Sequence, residues 1–208
     1  MTAQEGAPLG LRERKKLATR RALGRAALLL ALERGPENVR VDDIAAAVGV
    51  APRTYNNYFS SVEEAICSLN VERAAQVAAG LRARPAGEPL AEALVNGIVG
   101  TVDGYTGGAE PDRAVVRVIA GAPMLRGEFL KSMTLVERAL AEAIAERLEA
   151  AADRELMSRV LAAAVVAAAR TATDHWLENP AGAPYHAVLR RALSFVGTEA
   201  AVAPERDG

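Results

Sequence analysis

The 208-residue sequence lacks most of the residues that mark catalytic, metal-binding or disulfide-stapled proteins. Cys67 stands alone, so no disulfide forms within the chain, and a single thiol suits a reducing compartment. His175 and His186 are the two histidines, and with Cys67 they miss the C-x2-C and H-x3-5-H spacings of zinc sites; no metal is expected. Residues 1–9 have neither the basic start nor the apolar run of a secretory signal. The longest plainly apolar stretch, VLAAAVVAAA at 160–169, is fenced by Arg159 and Arg170. It falls short of the roughly 20 residues that cross a membrane, so no membrane partner is expected. No G-x-S-x-G, P-loop or G-x-G-x-x-G occurs, and GYTGG at 104–108 reads as a loop. Asp174-His175 has no nucleophile motif to serve. These absences argue against an enzyme and against a bound cofactor, and they favour a soluble cytoplasmic protein.

What is present is helix-forming sequence with an uneven charge. Ala, Leu, Arg and Glu dominate and alternating β-branched runs are scarce, so the expected fold class is all-α. The net charge of −1 conceals ten Lys/Arg against six Asp/Glu in residues 1–60, a net +4 there, and −5 over residues 61–208. The excess is densest in residues 9–26, where Arg12, Arg14, Lys15, Lys16, Arg20, Arg21 and Arg25 face Glu13 alone. A basic segment ahead of an acidic remainder fits a phosphate-binding module on a larger body, although a solvated helix face has the same composition.

Helix punctuation divides the chain. A first helix over about 11–34 stops at Gly35-Pro36, with Leu23, Ala26, Ala27 and Leu30 at helical spacing. Short helices follow at about 42–48 and 52–58, with Gly49 between them and Pro52 in a first turn, where proline is welcome. Ser60-Ser61 ahead of Glu63-Glu64 gives a capped start to a helix running to about Arg82. Further helices are expected at 89–103, 111–121, 124–151, 154–178 and 184–200, with a weak break near Ala152-Asp153 and a disordered tail over 203–208.

The segment VRVDDIAAAVGVAPRTYNNYF, residues 39–59, has two short helices and a glycine-containing turn, the geometry that seats a second helix in the DNA major groove. Ile44, Ala45, Val48 and Val50 supply the contacts that lock the pair, and Ala45 must be small where the second helix crosses. The second helix offers Arg53, Thr54, Asn56, Asn57 and Tyr58. Arginine donates to guanine, asparagine pairs with adenine, and Thr and Tyr reach phosphates or methyl groups. Tyr55 and Phe59 are expected to be core residues that pack this helix.

Over residues 19–66 the chain resembles the TetR family of bacterial regulators. TRRALGRAALLLALERG (19–35), VDDIAAAVGVAPRTYNNYF and SSVEEAI follow one another at the family's spacing without a gap. The pattern departs from the family at Arg40 and Ala51, which replace usual capping residues, at Asn56, where Tyr is common, and at Val62, in place of a frequent Lys. The resemblance implies a helix-turn-helix unit over 11–70 (helix-turn-helix 40–59) and a helical ligand-binding and dimerisation domain over 71–202. It implies a homodimer formed through 154–178 and 184–200, where small residues Ala162 to Ala169 permit close helix approach. The expected function is a regulator bound to a palindromic double-stranded DNA operator and released by a small-molecule inducer; activation by the same fold, or an adaptor without DNA binding, are the alternatives. Candidate DNA contacts are Arg40, Arg53, Thr54, Asn56, Asn57, Tyr58, Lys16 and Arg20. Candidate pocket residues are Tyr105, Met124, Phe129, Met133, Leu135, His175 and Trp176, each of which plain core packing would also explain.

Overall fold

The computed structural model describes residues 10–148 and 153–199, and every regular element among them is helical. In chain order these are α1 (Leu11–Arg34), α2 (Val41–Val48), α3 (Pro52–Tyr55), α4 (Val62–Arg82), α5 (Leu90–Thr106), α6 (Arg113–Gly121), α7 (Arg126–Arg147), α8 (Arg154–Glu178) and α9 (Tyr185–Glu199), with 3-10 turns at Pro36–Asn38 and Pro123–Leu125. The expected tail over 203–208, the break near Ala152 and the side chain of Tyr105 lie outside the described residues.

Local signals set most boundaries. Gly35 ends α1 with φ 82°, and its N–H donates to Ala31 O at 3.0 Å. The α4 start is capped twice over: Glu64 N–H donates to Ser61 Oγ at 3.0 Å, while the Glu64 carboxylate accepts from Ser60 N and Oγ, both at 2.8 Å. At α6 the Asp112 carboxylate accepts from Ala114 N at 2.8 Å, which starts the helix two residues later than Pro111 alone suggests. The expected helix 124–151 begins at Arg126, because Pro123 first imposes a 3-10 turn.

Two apolar cores result. The first gathers Leu23, Ala27, Ile44, Tyr55, Phe59 and Ile66 with Ile119 and Leu125, so α6 and the turn after it are built into the N-terminal unit. The second is aliphatic and joins α4, α5, α7, α8 and α9 through Leu81, Leu94, Ile98, Leu140, Ile144, Val165 and Leu189. By length and composition α8 would pass for a membrane span; it buries Ala162, Val165, Ala172 and Trp176, while most of its apolar stretch is not buried.

Helix α4 belongs to both cores and is approached by backbone at each end. A Cβ on Gly24 of α1 would meet Ser68 Oγ at 2.2 Å and Ala65 O at 3.3 Å. A Cβ on Gly97 of α5 would lie 3.1 Å from the Gly80 backbone. The C-terminal end of α4 is further held by the bidentate Arg82–Glu146 pair, closest at 2.7 Å, and by Arg147, whose guanidinium donates to the carbonyls of Arg84, Pro85 and Glu88. Guanidinium groups suit this work because their donors form a fixed fork.

Candidate nucleic-acid interface

Helix α2 ends in a tight reversal that aims α3. Gly49 takes the left-handed conformation (φ 73°, ψ 33°), its N–H donates to Ala46 O at 3.1 Å, and Val50 N–H donates to Ala45 O at 3.0 Å. Two carbonyls left open by the helix end are thereby satisfied, and only glycine takes that conformation without a steric cost. Ile44 and Ala45 are fully buried.

Pro52 opens α3 and the helix ends at Tyr55, three residues sooner than the sequence pattern suggests. Tyr55 is buried, its hydroxyl donates to Ser61 O at 2.8 Å, and its ring meets Phe59 with centroids 5.6 Å apart. Burial, and then the charges of Glu64 and Glu63, push the Tyr55 hydroxyl up to about 12, so it stays a neutral donor. After Tyr55 the chain turns at Asn56–Tyr58, and the Tyr58 and Phe59 N–H groups both close back on Tyr55 O. Asn56, Asn57 and Tyr58 therefore sit on a turn after the helix and not on the helix itself, a correction to the expected span 52–58. The burial of Tyr55 and Phe59 agrees with their expected core role.

The outer face of this unit carries Arg53, Asn56 and Asn57 exposed, with Thr54 and Tyr58 half-buried. Arg40 precedes α2, exposed, and donates to Glu37 O at 3.3 Å; neither it nor Ala51 makes a side-chain cap. Residues 11–18 of α1 are exposed throughout and carry Arg12, Arg14, Lys15 and Lys16 clear of the core. Arg20 differs from these. Its guanidinium donates to Tyr58 O and to Glu64 Oε1 at 3.2 Å, and it lies 4.2 Å from the Phe59 ring centroid. Burial pushes the Glu64 carboxyl up, but hydrogen bonds from Ser60 and Arg20 outweigh it and hold the group below its ordinary value. Arg21 likewise turns to an α4 acid, Glu72 at 2.9 Å. These pairings join residues about 44 to 51 positions apart, and no local period announces them.

The pocket candidates do not converge on one cavity. Met124 is exposed on the 3-10 turn, Phe129 packs against the first core, Met133 is half-buried on α7, and Leu135 is exposed. His175 and Trp176 line an open groove of about 1160 Å³ between α8 and α9. There Trp176 is buried, with Arg113 stacked 3.8 Å from its ring centroid and donating to its carbonyl, and with Tyr185 edge-on at 5.2 Å. Spacing along one strand of sequence cannot tell which helix faces meet, so the candidates scatter. The same groove exposes Val160 and Phe195, 57% and 65% accessible. Among the described residues no three His, Cys, Asp or Glu side chains gather as metal ligands.

Comparison with known proteins bears on both units. Residues 24–64 match the family model described as bacterial regulatory proteins, tetR family, and residues 88–201 match that of the MftR C-terminal domain. The chain is 36% identical over 174 residues to the HTH-type transcriptional regulator TcmR of Streptomyces glaucescens, covering 80% of this chain and 76% of that one. It is similar in structure to a protein classed as a TetR-family transcriptional regulator from Syntrophomonas wolfei, with a TM-score of 0.65 at 19% identity, covering 92% of this chain and all of that one. It is also similar to Thermus thermophilus FadR, a repressor solved with lauroyl-CoA, at TM-score 0.50 and 20% identity, covering 91% of this chain and 100% of that one. At such identities the structural likeness speaks for the fold alone.

Proposed function

The chain belongs to the TetR family of bacterial DNA-binding transcriptional regulators and is not an enzyme, and from that premise we propose that it is a homodimeric repressor, released from a palindromic operator by a small-molecule inducer. The observation that carries this reading is the exposed set Arg53 on α3 with Asn56 and Asn57 on the turn that follows it, flanked by the buried rings of Tyr55 and Phe59. Arg53 and the two asparagines have the donors and acceptors to read base edges, while Thr54, Tyr58, Arg40 and Lys16 flank them as phosphate contacts. Residues 11–70 form the DNA-binding unit in this proposal, and 71–202 the ligand-binding and dimerising one.

Two-fold operators need two reading units about 34–36 Å apart, and a second copy seated on the α8–α9 groove would supply them. Exposed Val160, Leu156, Met157 and Phe195 along those helices are the apolar surface such a copy would cover. The inducer would act by binding better to a conformation in which the two reading turns are out of register with the half-sites. Working on intracellular DNA, the protein acts in the cytoplasm.

Selection of bound duplexes from a random double-stranded pool tests the proposal. Enrichment of a palindrome whose binding weakens steeply with salt is the expected result. No enrichment at low salt, with a protein stripped of ligand by unfolding and refolding, would favour a helical adaptor that has lost DNA binding.

A further inference from the structure

We propose that Arg20 is a positioning residue of the reading turn and not one of its phosphate contacts. Every partner of its guanidinium lies in residues 58–64, the segment that leads the chain out of the turn. One edge donates to the Tyr58 carbonyl, the other to Glu64 Oε1, and the flat face covers Phe59. The first contact fixes the peptide plane that follows Asn57 and Tyr58. The second joins the cap of α4, since the same Glu64 carboxylate holds Ser60 N–H and hydroxyl through its other oxygen. The turn carries no regular helix beyond Tyr55; its own backbone bonds run back to the carbonyls of Pro52, Thr54 and Tyr55, and Arg20 adds the contact at the Tyr58 carbonyl, where the chain leaves the turn. Groups that recognise bases must be held to within about 0.5 Å, and a turn free to rotate at Tyr58 does not hold Asn57 that closely.

Charge points the same way. Swinging Arg20 outward to a phosphate would break its ion pair and leave Glu64 facing the polyanion without its counter-charge. Arg12, Arg14, Lys15 and Lys16 already project from the exposed part of α1 and need no such sacrifice. The arginine is therefore more valuable to recognition where it is.

This inference rests on the operator-reading proposal, so its test has an arm without DNA. The Arg20→Met, Arg20→Lys and Glu64→Gln variants are compared with the intact protein, after far-UV dichroism has established that each is helical. In the absence of DNA, amide exchange at Asn57, Tyr58 and Phe59 is expected to quicken in all three; unchanged exchange overturns the proposal whatever the DNA arm gives. The DNA arm uses the duplex enriched from the random pool and an unrelated duplex of equal length, each titrated over a range of salt. Arg20→Met is expected to lose about ten- to a hundredfold on the enriched duplex and less than about threefold on the unrelated one, with the salt slope unchanged. Glu64→Gln is expected to weaken the enriched duplex about tenfold although it removes a negative charge. Lysine keeps the charge but cannot lie flat on Phe59 while spanning both oxygens, so Arg20→Lys is expected to stay impaired. A slope smaller by about one per protomer in Arg20→Met, equal loss on both duplexes, tighter binding by Glu64→Gln, or full rescue by lysine would each overturn it. If the intact protein enriches no duplex, the operator reading fails, and the exchange arm alone decides whether Arg20 orders the turn. Should Arg20→Met fail to fold, the other two variants carry the comparison.

Discussion

The two cores of this molecule are built by different means. The first fixes individual side chains with directed contacts: two rings at 5.6 Å, a hydroxyl on a carbonyl, a guanidinium on a ring, a carboxylate capping a helix. The second is mostly aliphatic and alanine-rich, with α4 and α5 meeting glycine on glycine, and its directed contacts gather at one edge, where Arg113 and Tyr185 meet Trp176. Directed contacts define where a small set of polar groups must stand, as base reading demands. Non-directional packing defines only a shape, and many sequences fill the same shape.

The largest expected effect breaks the first region and spares the second. Changing Arg53 and Asn57 together to alanine removes base contacts worth about 1–3 kcal/mol each. A dimer makes each contact twice, so binding to an enriched duplex is expected to fall by at least about a thousandfold in a fluorescence-anisotropy titration. Met133→Ala in the body, measured beside it, is expected to leave that affinity within about threefold. Equal losses would mean that the exposed turn does not read the duplex.

Next in size is a charge in the groove. Phe195→Asp puts a carboxylate where the proposed second copy would lie, and burying it unpaired is costly. Sedimentation is expected to show monomers, and duplex affinity to drop about tenfold or more as the half-sites are uncoupled. A variant that stays dimeric would move the interface away from α8 and α9.

How far these regions were legible in the sequence follows the same division. The limits of α1 and α8, 11–34 and 154–178, can be read from the breaks that flank them, Gly35-Pro36 and Asn179-Pro180 above all, because those signals act within a few positions. So can the reversal at Gly49 and the buried roles of Tyr55 and Phe59. The end of α3 cannot, for no glycine or proline marks it, and the contact made just beyond it, Arg20 on the Tyr58 carbonyl, comes from another helix. Phe129 packs on the first core, whose members outside residues 115–125 lie about 60 or more positions away from it in sequence. Gly80 and Gly97 have no signature at all until two helices are seen to cross.

That crossing gives a third prediction, confined to the body. Gly97→Val forces a side chain into backbone that lies 3.1 Å from its Cβ alone, and overpacking of this kind costs about 1–3 kcal/mol. Thermal unfolding is expected several degrees lower, at roughly 2–4 °C per kcal/mol for a chain of this length. An unchanged midpoint would mean that α4 and α5 shift apart at no cost, and the body would then be looser than its packing implies.

A smaller effect is a dependence on pH at the cap of α4. The Glu64 carboxyl is lower in the folded chain than its ordinary 4.5. A depressed folded value means that its stabilising contribution is complete above 4.5 and is lost as pH falls through the folded value. Acid unfolding monitored at Tyr55 is therefore expected to be less steep in Glu64→Gln than in the intact protein. Identical acid limbs would remove Glu64 from the contacts that hold the turn.

The smallest signal asks whether the two cores are independent at all. Cys67 is buried in the first core, and burial, with the charges of Glu128 and Glu63, pushes its thiol up to about 11. At neutral pH it is expected to react with a thiol reagent only when that core opens. Helix α4 runs through both cores, and Ile119 and Leu125 carry the later part of the chain into the first. Opening the reading unit must strip those residues from their neighbours, so Cys67 labelling and the loss of helix signal are expected to follow the same denaturant dependence. Labelling that comes earlier would mean that the reading unit opens while the body stays folded. The shared helix would then act as a flexible joint between two stabilities, and an inducer that stiffened the body would have little grip on the turn.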